Sequence, residues 1–184
     1  MRRAIITSSF FIFPMMIGLA VVAEPLIKII LTEKWLPAVP FLRIFCFSFA
    51  LWPIHTANLQ AVNAMGRSDI FLKLEIVKKI IGLIILGISL PFGVYVLALG
   101  QVFSGIIASF INAYPNKHLL DYSYKEQWLD IMPSLLLSII MGGTVYFFNF
   151  LRITAWKMLI LQIGTGIIIY VGLAKILKIE SYNY

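Results

Sequence analysis

The sequence predicts an all-α fold, a polytopic membrane bundle of about six transmembrane helices. Three observations predict it. Hydrophobic residues make up 61% of the 184 residues and charged residues only 12%, with a mean hydropathy of +0.95. A soluble domain carries about 25% charged residues, so this chain lacks the polar surface to cover a globule in water. Apolar stretches near the roughly 17–25 residues needed to cross a bilayer recur along the chain. Short polar connections separate them, and the basic residues are unequally shared between alternate connections.

The first apolar stretch is 4–23, with Pro14 inside it as an expected kink and Glu24-Pro25 closing it. Segment 26–31 carries Lys28 and is expected along the membrane interface, and Trp35 suits the headgroup level. The second stretch, about 37–64, is long enough to tilt or bend, with Pro53 near its middle. Gly66-Arg67-Ser68-Asp69 reads as a compact turn. The third span is expected over about 70–90 and starts with Lys73, Glu75, Lys78 and Lys79. Pro91-Phe92-Gly93 marks a reversal before the fourth span, about 94–113. Segment 115–128 is the longest polar run and is expected as a loop. The fifth and sixth spans fall at about 129–150 and 158–174. The chain thus divides into a four-helix part (1–114), a polar loop (115–128), and two additional helices with a short tail (129–184).

The formal net charge is +7. The positive residues lie between apolar runs and form no basic face on a soluble element, which excludes nucleic acid as a partner. In a membrane protein they report topology. With the N-terminus in the cytoplasm, the inner segments hold Arg2, Arg3, Arg67, Lys73, Lys78, Lys79, Lys117, Lys125, Lys175 and Lys178. The outer ones hold Lys28, Lys34, Arg152 and Lys157. This bias places both termini in the cytoplasm. The first stretch is longer than a signal-peptide core and more spans follow, so it reads as a retained helix.

No catalytic constellation is legible. His55 and His118 lie in different segments without a ligand at helical spacing, and the single cysteine, Cys46, excludes an internal disulfide and reads as a packing residue. No P-loop or nucleophile elbow is present. Asp121, Glu126 and Asp130 read as solvated carboxylates in or beside a polar loop. The chain is therefore read as a non-enzyme, with no metal and no cofactor expected.

The informative groups are polar residues at membrane depth. His55 and Asn58 are three apart and share a helix face, with Gln60 and Asn63 pointing elsewhere. The run HTANLQAVNAMGR is too polar to face lipid on all sides, which leaves interhelical hydrogen bonding or a wet cavity. Glu75 can pair with Lys78 or Lys79 as a local ion pair, or the group can form a basic rim for a phosphate-bearing molecule. Gln101, Ser104, Gly105, Ala108 and Asn112 form a stripe of the kind that marks close helix packing. Arg43 lies about two turns inside its span at 1.5 Å per residue. It can snorkel to the outer headgroups or face a passage.

The segment from FPMMIGLAVVAEPLI through KWLPAVPFLRI, NAMGRSDIFLKLEIVKK and PFGV to NAY, residues 13–114, resembles the C-terminal half of bacterial lipopolysaccharide and O-antigen flippases. These belong to the multidrug/oligosaccharidyl-lipid/polysaccharide exporter superfamily. The last two helices resemble it by hydropathy alone. The resemblance implies four helices of a second lobe plus two extra helices. It implies transfer of polyprenyl-pyrophosphate-linked oligosaccharide across the bacterial inner membrane by alternating access. The site assignments the resemblance implies are Arg43, His55 and Asn58 along the passage, and Arg67, Glu75, Lys78 and Lys79 at a cytoplasmic gate. Expected partners are the lipid-linked oligosaccharide, membrane lipids and a separate chain supplying the absent first lobe, since this chain has about half the implied length. The alternatives are a truncated, non-transporting remnant or assembly protein, and a membrane enzyme of glycan assembly.

Overall fold

The computed structural model describes residues 1–151 and 153–177. Arg152 and Lys178, counted above among the outer and inner charges, lie outside the described residues, as does the tail to Tyr184. The described residues form helices only: α1 (Arg2–Ile30), α2 (Val39–Ala50), α3 (Trp52–Ala64), α4 (Ser68–Ser89), α5 (Val94–Leu119), α6 (Tyr124–Tyr146) and α7 (Ala155–Ile176). Short 3-10 turns cover Glu33–Ala38, Leu90–Phe92 and Phe147–Phe150. The α2 and α3 segments are two halves of one helix broken at Leu51. Pro53 has no N–H to give the preceding turn, so the break follows from the ring.

Five helical stretches are long and apolar enough to cross a membrane: 2–30, 33–64, 94–119, 124–150 and 155–176. The expected third span, α4, is not among them. Lys73, Glu75, Lys78 and Lys79 crowd its first half, although its 22 residues would reach about 33 Å at 1.5 Å per residue.

Three further expectations are corrected. Segment 26–31 does not leave α1 for the interface; the helix runs on to Ile30 through Pro25. Glu24 and Lys28 pair at 3.3 Å across that turn, and the Arg43 Nε–H donates to the Ala20 carbonyl at 3.1 Å. Segment 115–128 is mostly helix rather than loop, since α5 continues to Leu119 and α6 begins at Tyr124. The start of α6 is fixed by a capping box, in which Ser123 Oγ accepts from the Glu126 N–H and Glu126 Oε2 accepts from the Ser123 N–H. Finally, Asp130 is not a free solvated carboxylate, while Glu126 stays exposed at the start of α6. Asp130 accepts from Arg2 and from the Tyr122 hydroxyl, each at 2.6 Å.

The core lies along α1, which packs lengthwise on α6. Phe10 of α1 clusters with Leu137, Met141 and Val145 of α6 and Tyr170 and Ala174 of α7. Ile5 and Phe13 meet Leu51, Ile54 and Ile131. Close approach is possible because Gly142 has no side chain, and a Cβ there would overlap Ile17. One backbone defect is repaired between helices. Pro14 cannot donate to the Phe10 carbonyl four residues back, and the Tyr170 hydroxyl of α7 donates to that carbonyl at 2.7 Å. Unsatisfied backbone is expensive in lipid, so Pro14 and Tyr170 act as a pair.

Candidate functional site: a polar cavity between α3, α4 and α5

On the side of the bundle away from α6 and α7, the broken helix, α4 and α5 line an open cavity of about 620 Å³. The α2–α3 wall supplies Ser48, His55, Thr56, Gln60 and Asn63. Lys78 comes from α4, and Gln101, Ser104 and Asn112 from α5. Phe45, Phe49, Trp52 and Phe71 add aromatic faces. The α3 residues 55, 56, 59, 60 and 63 all line it, a spacing that puts them on one face. Gly105 and Ala108 line the same wall of α5. The α5 stripe thus lines the cavity and also packs against its neighbours, with Ser104 close to Gly82 of α4 and Asn112 buried against α3.

Of the expected site residues, the structure brings His55 and Lys78 to this cavity. The His55 Nδ1 accepts from the Asn112 Nδ2 at 3.1 Å, which joins α3 to α5 across the cavity. Lys78 donates to Glu75 one turn back on its own helix, so its charge is largely compensated locally. Lys79 is exposed on another face of α4. Arg67 is engaged by Asp69, through Nε at 3.1 Å and Nη2 at 3.2 Å, and this guanidinium holds the Asp69 carboxyl below the usual carboxylate range. Arg43 is tied to the α1 backbone and lies outside the cavity wall.

Asn58 is also not in the wall. It is fully buried toward α5 and α6, because the 60° offset between positions three apart on a helix separates it from His55 at the bend. Its Nδ2 donates to the Gln127 Oε1 at 2.7 Å, and the Gln127 Nε2 donates to the Asn58 Oδ1 at 3.1 Å. Asn116 Nδ2 adds bonds to the Asn58 Oδ1 at 2.7 Å and to its carbonyl at 3.1 Å. This amide cluster fixes α3 against α5 and α6. Gln127 and Asn116 were missed because they lie in the polar run taken as a loop.

Among the described residues, no group of three or more His, Cys, Asp or Glu side chains is arranged to hold a metal. What the cavity offers is hydrogen bonding and aromatic surface at bilayer depth, with one ion-paired cation.

Fold and cavity together define a multi-pass helical membrane protein with a polar internal wall. A family model described as "Polysaccharide biosynthesis protein" matches residues 1–40. That match supports a role in polysaccharide synthesis or transport. It covers α1, the 3-10 turn and the first residues of α2, and stops short of most of the cavity wall. The comparison with curated proteins and that with solved structures returned no match.

Proposed function

We propose that this chain is part of a transporter that moves polyprenyl-pyrophosphate-linked oligosaccharide across the bacterial inner membrane by alternating access, with both termini in the cytoplasm. The observation that carries this reading is the cavity itself. Thr56, Gln60, Asn63 and Gln101 are exposed side chains in apolar helices, and such groups are costly against lipid and are at home against water or a polar cargo. The family match to a polysaccharide biosynthesis protein supports the class of cargo. A cavity lined by amides and aromatic rings is suited to sugar, while the polyprenyl tail can stay among the exposed apolar side chains of the helices.

In this reading the cavity has a wall on one side and needs a second helical body to close it, so the chain works with a further membrane partner carrying the facing wall. It is a carrier and not an enzyme. Deleting the gene should abolish surface polysaccharide while lipid-linked intermediates accumulate in the inner membrane. Normal surface polysaccharide after deletion would contradict the proposal.

A further inference from the structure

Among the described residues, His55 and Lys78 are the titratable side chains that line the open cavity. His55 is half-buried and reaches from α3 to α5. The neutral ring accepts at Nδ1 from the Asn112 Nδ2 at 3.1 Å, so its own proton sits on Nε2. The ring also meets the Gly105 backbone of α5. Asn112 is only 1% exposed, and its Oδ1 has no hydrogen bond. The amide that holds Nδ1 therefore has its acceptor end idle.

That idle end matters when the ring gains a proton. Protonation turns Nδ1 from an acceptor into a donor and sets it against the Asn112 N–H. The two ends of an amide are nearly equal in size, so a half-turn of the Asn112 amide brings Oδ1 to the same contact without repacking its buried surroundings. One end of the amide is idle in either state, so the half-turn strands no additional group. The bond that results, from an imidazolium to a carbonyl oxygen, is roughly twice as strong as the neutral one it replaces.

The charges around the ring permit the proton. On α4, Lys78 acts on His55 electrostatically, and Glu75 pairs with Lys78 from the adjacent turn, so the like charge is largely compensated. From α5 the wall receives amide, hydroxyl and backbone groups and no charge. The rest of α3 carries no charged residue, and no charged residue of α1 or α6 lines the wall. On α2, Arg43 is tied to the Ala20 carbonyl outside it.

We propose that His55 is a proton switch of the cavity wall. It takes a proton from cavity water at Nδ1, the Asn112 amide turns over, and Oδ1 accepts where Nδ2 had donated. The group of His55, Lys78 and Glu75 passes from no net charge to one positive charge, and the α3–α5 contact persists with its polarity reversed. The switch depends on the wall being open to water and on nothing about the cargo, so it goes beyond the transporter reading.

The test is a pH titration of the full chain, labelled with 15N-histidine, in lipid nanodiscs, followed by the ring nitrogen shifts in NMR. The sequence holds two histidines, and His118→Gln leaves His55 alone in the spectrum. At high pH the ring should be neutral with its proton on Nε2, and it should convert to the imidazolium between about pH 8 and pH 5. Asn112→Leu, which removes the acceptor, should weaken proton binding about fivefold and move the midpoint to lower pH. Glu75→Gln, which leaves Lys78 uncompensated, should move it the same way. The titration with Asn112 and Glu75 in place depends on neither substitution. The proposal is overturned if the ring stays neutral down to about pH 5, if the neutral ring carries its proton on Nδ1, or if either substitution leaves the midpoint in place or raises it. Each of these results leaves the deletion phenotype untouched, so failure of the switch is distinguishable from failure of the transporter reading.

Discussion

Asn58 and Gln127, 69 residues apart in sequence, hold each other by reciprocal amide hydrogen bonds of 2.7 and 3.1 Å in a fully buried position. The pair joins α3 to α6, and Asn116 of α5 adds a bond to the Asn58 Oδ1. Both side-chain atoms of Asn58 and of Gln127 are bonded, while the Asn116 Oδ1 has no partner; removing one member of such a buried cluster is costly.

Gln127→Leu should therefore destabilise the bundle by about 1–3 kcal/mol, because it strands the Asn58 amide. The double variant Asn58→Leu/Gln127→Leu should lose less than the sum of the two single losses. Denaturant titration of the purified protein in mixed micelles, followed by circular dichroism, measures all three. Additive losses would show that the two amides do not act as a unit.

Tyr170→Phe leaves the Phe10 carbonyl without a donor, since Pro14 cannot supply one. It should cost about 1 kcal/mol in the parent. In a Pro14→Ala background the N–H of residue 14 returns to that carbonyl, and the cost of Tyr170→Phe should fall toward zero. The same titration reads the coupling, and an unchanged cost in the Pro14→Ala background would remove the link between the two residues.

Gly142→Val places branched carbons where Ile17 packs. Forcing volume into a close-packed contact typically costs about 1–3 kcal/mol. Gly143→Val, one position on, meets open space and should cost little beyond the propensity change. Comparing the two by melting temperature separates a packing effect from a general loss of glycine.

Tyr122 lies in the turn between α5 and α6, outside the spans. Burial, and then its hydrogen bond to Asp130, raise its hydroxyl pKa well above the ordinary value. A folded-state pKa above the unfolded one, near 10, means that the neutral phenol contributes stability in full below about pH 10, and that this is lost as pH rises toward the folded value. Melting temperature should accordingly fall across pH 10–12, and Tyr122→Phe, which cannot ionise, should flatten that part of the curve. An equally steep fall in the variant would assign the alkaline loss to other groups.

Much of the helix pattern was legible from hydropathy because bilayer length and apolar composition dominate it. The turns at Gly66 and Gly93 were legible for a backbone reason, since both sit at positive φ, 67° and 91°, where glycine carries no steric cost. The helical extent of 115–128 was not. Polar residues there looked like a solvated loop, yet Asn116 and Gln127 are turned inward to meet Asn58, a contact between distant segments that no local pattern contains. The site was half legible. The HTANLQAVN run announced polar residues needing shelter, but which of them face the cavity depends on the bend at Leu51. Asn58, expected in the passage, is buried in the amide cluster, while Gln60 and Asn63, on a different face from His55 by spacing alone, and Asn112, read as a packing residue, line the cavity.

The central claim is that the α3–α5 wall faces water or cargo at membrane depth, and cysteine labelling tests it most directly. In a Cys46→Ser background, single cysteines at Gln60 and Ser104 of the cavity wall are compared with one at Ile168, 72% exposed on α7, by their rate of reaction with a maleimide in native membranes. Maleimide reacts with the thiolate, and a thiol surrounded by lipid does not ionise. The account predicts rapid labelling at Gln60→Cys and Ser104→Cys and almost none at Ile168→Cys. Labelling at positions 60 and 104 as slow as at 168 would contradict it.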